Sequence, residues 1–413
     1  MQKIIRETVS LIERKSNLIL IVLVLTVVLS GVFYSIYLGN NLRYFDETKY
    51  YKLATNIVSL HQYSFDGKHL TAFRPPGYPL FLSFFIFLGA DIVCLRILNF
   101  IALGLCIYLL YRIIEKQSSR FAGIISALLI ICYPVLFYTA GTLYPQTIAS
   151  FLFLLIIFLL TSNTNSNRIF FLAGLLFGCL ILTVPTFIFP LFIFAMWFLF
   201  FKELTKAKKF LITIITSVLL ISIWSVRHYV VFGSFIFVAS MSGTTLLLGN
   251  SENTTAAACG APGSISKYIT EARQLNLNEV EESAYYKSKA IEFILSHKKQ
   301  AVKLYFLKLL NHFNYRSELS TETGISSLKD FLMLVTYGPL LLLFFIRIFL
   351  MKTFRLSSFE ALLIIIYLAN AFVMAIFCTR IRYRLPFDFL LIGIVAIFLH
   401  NIFHWWYTRK NTI

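Results

Sequence analysis

The chain reads as an all-α polytopic membrane protein, and three observations carry that reading. Of 413 residues, 58% are hydrophobic and 14% charged, with a mean hydropathy of +0.78. Soluble domains are nearer half apolar and a quarter charged. The apolar residues fall in long runs, and a membrane helix needs roughly 20 of them in succession. Short polar segments rich in Lys and Arg separate the runs. Together these exclude a disordered chain, a coiled coil, a collagen-like rod and a soluble enzyme built on one core.

The net charge of +18, from 37 Lys and Arg against 19 Asp and Glu, has a plain origin in such a chain. Basic residues in short loops set topology and lie against anionic lipid. They are scattered between the apolar runs and no nucleic-acid motif accompanies them, so lipid, not nucleic acid, is the expected partner.

The runs predict ten spans, at about 18–38, 91–114, 121–140, 146–162, 169–184, 186–201, 210–230, 331–350, 357–378 and 386–406. The first lacks a small-residue cleavage site and reads as a span, not a signal peptide. The piece 77–90 is too short to cross. Lys3, Arg6, Arg14 and Lys15, then Arg112, Lys116 and Arg120, then Lys206, Lys208 and Lys209 fall on the N-terminal side. The turns near 141–145 and at Pro185 have no Lys or Arg. The positive side is therefore expected to be cytoplasmic and to hold both termini, in a multi-pass plasma-membrane protein. Three regions follow: an N-terminal transmembrane module (1–230) with its first outer loop (39–76), an extracytoplasmic region (231–330), and C-terminal transmembrane helices (331–413). Asn278 and Glu281 form a capping-box pattern, and 291–313 mixes Lys with large apolar residues at helical spacing, as in a basic helix on a membrane surface.

Cys94, Cys106, Cys132 and Cys179 lie inside apolar runs, Cys259 in the long loop and Cys378 at a helix end. Without a Cys-x-x-Cys pair, neither a zinc site nor a disulfide framework is expected. The histidines are read as scattered and give no metal. Metal dependence stays open, with a divalent ion compatible and no cofactor certain.

The chemistry is concentrated in the first outer loop. Asp46 and Glu47 are adjacent carboxylates just past the first span. Acids favour helix N-termini, so either could cap the helix that follows. One could instead point into a cavity as a general base. Arg74 precedes the rigid turn Pro75-Pro76-Gly77-Tyr78-Pro79, where a guanidinium suits bidentate phosphate binding or simple snorkelling to the interface. Arg380, Arg382 and Arg384 run against the positive-inside trend. In an extended stretch alternate residues share a face, so the three could form one cationic surface for an anionic headgroup. Arg227, beside Trp224 and Tyr229, could add to that field, although an interfacial anchor explains it better.

Four segments together resemble the GT-C membrane glycosyltransferases, in the branch of protein O-mannosyltransferases and lipid A aminoarabinose transferases that use phospholipid carriers. They are YFDETKYYKLATNIV, YSFDGKHLTAFRPPGYPLFL, WSVRHYVVFGSF followed by LLLGN, and RYRLPFDFLL, in the family's order across residues 44–392. The resemblance implies a GT-C-like helix bundle with its active site on the extracytoplasmic face. It implies a catalytic base at Asp46, with Glu47 beside it, and a lipid-phosphate contact at Arg74. Arg380, Arg382 and Arg384 would assist that contact, and Tyr78, Arg227 and Asn250 are candidates for the substrate pocket. The expected partners are a polyprenyl-phosphate sugar donor and an extracytoplasmic acceptor that is a glycolipid, a glycan or a protein. One departure stands out: many relatives have a Pro-Glu pair where this chain has Pro145-Gln146. A lipid-linked glycan polymerase or ligase is the nearest alternative. A flippase or transporter is further off, because the spans are nearly free of charge at their centres.

Overall fold

A computed structural model describes residues 2–162, 165–201, 203–256, 263–316 and 327–409. Among them the chain is helical, with a lone antiparallel bridge between Ser64 and Leu70.

The N-terminal helices are α1 (Gln2–Arg14), α2 (Ser16–Leu38), α3 (Phe45–Leu60), α4 (Gly77–Phe87) and α5 (Ile92–Gln117). In α2 the buried residues Leu20, Val27, Gly31 and Ser35 form one stripe, while Leu18, Ile21, Leu25, Leu29 and Phe33 are exposed. A helix with most of its apolar surface uncovered is one that faces lipid. The stripe meets α5 so closely that a Cβ on Gly31 would lie 2.1 Å from the Phe100 ring. Asp91 caps α5 by accepting from the Cys94 amide at 2.9 Å.

Next come α6 (Arg120–Ile131), α7 (Pro134–Ala140), α8 (Gln146–Leu160), α9 (Asn167–Thr183), α10 (Ile188–Phe200) and α11 (Leu204–Phe232). Pro134 cannot extend α6, and α7 departs from it by 64°. The polar end carries α12 (Ser242–Gly249), α13 (Ser266–Gln274), α14 (Glu279–Ser296) and α15 (Lys298–His312). The predicted capping box is present: Asn278 Oδ1 accepts from the Val280 and Glu281 amides at 3.0 Å, and Glu281 returns the contact to the Asn278 amide. The basic segment 291–313 is broken at His297 into two helices. Val302, Phe306 and Leu310 are exposed along α15, while Ala301, Leu304, Lys308 and His312 are buried on the opposite face.

The chain closes with α16 (Ser327–Phe349), α17 (Ser358–Ile376) and α18 (Ile381–Arg409). Helix α18 is largely buried and packs against α5, α6, α8, α16 and α17, which returns the C-terminal segment to the N-terminal bundle. Arg347 and Glu360, both buried, pair at 2.9 Å where α16 turns into α17.

The expectation of ten spans is corrected. By length and composition six described helices can cross a membrane (α2, α5, α11, α16, α17 and α18), or seven with the bent pair α6 and α7. Helices α8, α9 and α10 are apolar but short. At 1.5 Å per residue the 15 residues of α8 extend only about 22 Å, against a hydrocarbon core of about 30 Å. Cys94, Cys106, Cys132 and Cys179 are free, whereas Cys378 is disulfide-bonded, so the expectation of no disulfide does not hold. Cys259 lies outside the described residues.

Candidate active site

The segment that follows α2 is held from below. Arg96, fully buried in α5, donates to the carbonyls of Gly39, at 2.5 Å, and Asn41. Glu47, also fully buried, accepts from the amides of Arg43 at 2.8 Å, Tyr44 at 3.1 Å and Leu143 at 2.9 Å. One carboxylate therefore starts α3 and ties it to the segment before α8. These contacts occupy both oxygens of Glu47, so the structure places it in the framework of the loop and not among the partners of Asp46. Glu47→Gln should cost about 1–3 kcal/mol, because a buried amide proton loses its acceptor. The loss should appear in thermal unfolding, with turnover per folded molecule nearly unchanged.

Asp46, one residue earlier on a helix that turns 100° per residue, faces elsewhere. Its Oδ1 accepts from Arg74 Nη2 and its Oδ2 from Arg382 Nη1. The two arginines arrive from opposite ends of the chain. Arg74 is pinned by the turn that follows it: the Tyr63 hydroxyl donates to the Arg74 and Pro75 carbonyls at 2.9 and 3.2 Å. Its guanidinium lies over the rings of Tyr50 and Phe73, at 5.2 and 5.6 Å. Arg382, in the first turn of α18, lies over Tyr144 and Tyr383, at 5.5 and 5.1 Å. Burial raises the Asp46 pKa, but the Arg382 and Arg74 charges outweigh it and pull the group down to about 2. This ion pair stabilises the fold fully above the ordinary value of 3.8, and the contribution is lost as pH falls through about 2.

The turn before α18 is fixed from the polar end. Lys308 Nζ, buried in α15, donates to the carbonyls of Gly249 at 2.9 Å and Phe377 at 3.0 Å. It also reaches Asn250 Oδ1 at 3.2 Å, and Asn250 Nδ2 in turn donates to the Leu246 and Ile376 carbonyls at 2.9 Å. A Cβ on Gly249 would lie 1.8 Å from the Phe377 oxygen, so this approach requires glycine. Asn250 thus braces the segment leading to Arg382. The sequence reading missed Lys308 because a buried lysine has the same letters as the surface lysines around it.

Three more candidates are relocated. Arg384 is fully buried two residues past Arg382. Residue 381 opens a helix, so alternate residues differ by about 200° and cannot share a face as they would in an extended stretch. Arg384 instead pairs with Asp388 at 3.2 Å, donates to the His312 and Asn314 carbonyls at 2.7 and 2.9 Å, and stacks 3.7 Å over Tyr337. Tyr133 donates to the same aspartate at 2.9 Å. Tyr78 is fully buried, edge-on to Tyr50 with ring centroids 5.3 Å apart. Arg227 donates to the Thr71 carbonyl at 2.9 Å and lies 4.9 Å over Trp224, a strut for the loop carrying Arg74. Arg380 stands beside the site, its pKa lowered by burial, and the like charge of Arg382 pulls the same way.

The separation of roles is testable. Asp388→Asn leaves Arg384 buried without its counter-charge, and breaking such a pair costs about 3–5 kcal/mol. Thermal stability should fall by that order, while turnover of the folded fraction is unchanged.

One carboxylate flanked by two guanidinium groups is a poor cation site. Among the described residues no three His, Cys, Asp or Glu side chains converge on a point. His400 and His404 stand four apart on α18, so the histidines are not all scattered, and among the described residues no third ligand joins them. Gln146 is buried with no hydrogen-bond partner for its Oε1.

Comparison with known proteins bears on this arrangement. Residues 73–226, just over a third of the chain, match the family profile of dolichyl-phosphate-mannose-protein mannosyltransferases. The oligosaccharyltransferase of Archaeoglobus fulgidus, solved with a tethered acceptor peptide containing the NVT sequon, superposes with a TM-score of 0.51 at 16% identity. The match covers 92% of this chain and 50% of that one. The chain has the GT-C glycosyltransferase fold. ArnT from Cupriavidus metallidurans bound to undecaprenyl phosphate is also similar, with a TM-score of 0.47 and 12% identity over 91% of this chain and 77% of that one. No curated protein sequence matches. In this GT-C fold the ion-pair cluster lies where the loop after the first long helix meets the start of the last one.

Proposed function

We propose that this GT-C chain transfers a sugar from a polyprenyl-phosphate donor to an acceptor hydroxyl at the outer face of the membrane. One observation carries the reading: Asp46 sits between Arg74 and Arg382, a carboxylate and two forked cations at the polar end of a lipid-facing bundle. The acceptor oxygen attacks the anomeric carbon as the bond from that carbon to the phosphate oxygen breaks. Asp46 takes the hydroxyl proton, and the electron pair leaves with the polyprenyl phosphate. Arg74 and Arg382 stabilise the charge gathering on that phosphate. The fold likeness and the matched family segment both support a lipid carrier.

The test is to extract lipid-linked sugars from cells with and without the protein. One monoglycosylated polyprenyl phosphate should accumulate in its absence and disappear when the wild-type chain is restored. Identical profiles in the two strains would remove this reading.

A further inference from the structure

The same three side chains hold a second piece of information, which rests on the function proposed above. Asp46 does more than stand near the arginines; it occupies them. Each of its oxygens takes one terminal guanidinium N–H, one from Arg74 and one from Arg382. Arg74 Nε and Arg382 Nε are buried and have no hydrogen-bond partner. Two guanidinium groups present ten N–H donors between them, and a single carboxylate cannot use so many. The phosphate of a polyprenyl donor has two free oxygens at a tetrahedral centre, and that of the released carrier has three. Either suits the fork of an arginine better than one shared carboxylate does. Carboxylate and phosphate cannot share the two cations without repelling one another.

We infer that Asp46 is the resting occupant of the lipid-phosphate site, and that the arriving donor phosphate must displace it from Arg74 and Arg382. Displacement has two consequences. It makes binding ordered, with the donor entering before the base is available to an acceptor. It also makes the base stronger at the moment it is needed. A carboxylate clamped by two cations attracts a proton poorly, and one whose cations have turned to phosphate returns toward ordinary basicity. The clamp thereby guards against proton abstraction from an acceptor or water when no donor is bound. The surroundings permit the exchange, since Asp46 and Arg382 keep 15% and 24% of their side-chain surface open while Arg74 is pinned by its aromatic neighbours.

A simple base and a displaced occupant predict opposite results for one variant. Asp46→Asn keeps the shape and removes the competing charge. The full-length protein in nanodiscs should then bind sugar-free polyprenyl phosphate at least roughly fivefold more tightly than wild type, as expected when a charge-assisted competitor is removed. Arg74→Met should bind it more weakly. If Asp46→Asn does not fold, Asp46→Ser carries the same expectation. Unchanged or weaker binding by a folded Asp46 variant would overturn the inference. Inorganic pyrophosphate separates this from the functional reading. If Asp46→Asn gains affinity for pyrophosphate and no variant binds polyprenyl phosphate, the displacement stands and the lipid donor falls.

Discussion

Asp46→Asn is expected to lower sugar transfer by at least roughly a hundredfold, since general-base catalysis contributes about 10²–10⁴-fold. The amide is nearly isosteric with the carboxylate but accepts no proton from the attacking hydroxyl. Its fold should survive, because the backbone of the loop is held by Glu47 and Arg96. Initial rates from a polyprenyl-phosphate sugar, compared at equal folded protein, measure the loss. Near wild-type turnover would reduce Asp46 to an acidic residue at a helix N-terminus. The variant also distinguishes the adjacent acids, because Glu47→Gln should lose stability instead of rate.

The second large effect concerns the arginines. Arg74→Lys and Arg382→Lys should each lower kcat/KM for the donor by roughly ten- to a hundredfold, on the basis of about 1.5–3 kcal/mol for a hydrogen bond to a charged group. Lysine keeps the charge but not the planar pair of donors that lies over Tyr50 in Arg74 and over Tyr144 in Arg382. If the contact tightens as negative charge gathers on the leaving phosphate, kcat falls together with kcat/KM. Steady-state rates over a range of donor concentrations separate this from a loss of ground-state binding alone. Arg227→Lys, remote from Asp46 and holding Thr71, should change donor kinetics far less.

Much of the site is legible in the letters because the chain is so apolar. Charged residues are scarce next to the apolar runs, and Asp46, Arg74 and Arg382 each stand beside one. What the letters conceal is direction. Asp46 and Glu47 are neighbours, and only the backbone amides of Arg43, Tyr44 and Leu143 decide that Glu47 points inward. Arg382 and Arg384 share a face in a strand and oppose each other in a helix, so a wrong local period moved Arg384 from the core to the site. Tyr78, Arg227 and Asn250 make their decisive contacts with residues distant in sequence, on Tyr50, Thr71 and Ile376. The span count failed for a different reason. Residues 146–201 are apolar enough to suggest three crossings, yet they form helices shorter than the six that are long and apolar enough to cross.

The measurement that bears most directly on the central claim is the structure of the full-length protein in nanodiscs with polyprenyl phosphate bound. The phosphate is expected within hydrogen-bond reach of both Arg74 and Arg382, with Asp46 turned away from them and Arg384 still paired to Asp388. A phosphate held elsewhere, with the Asp46 clamp intact, would contradict the account.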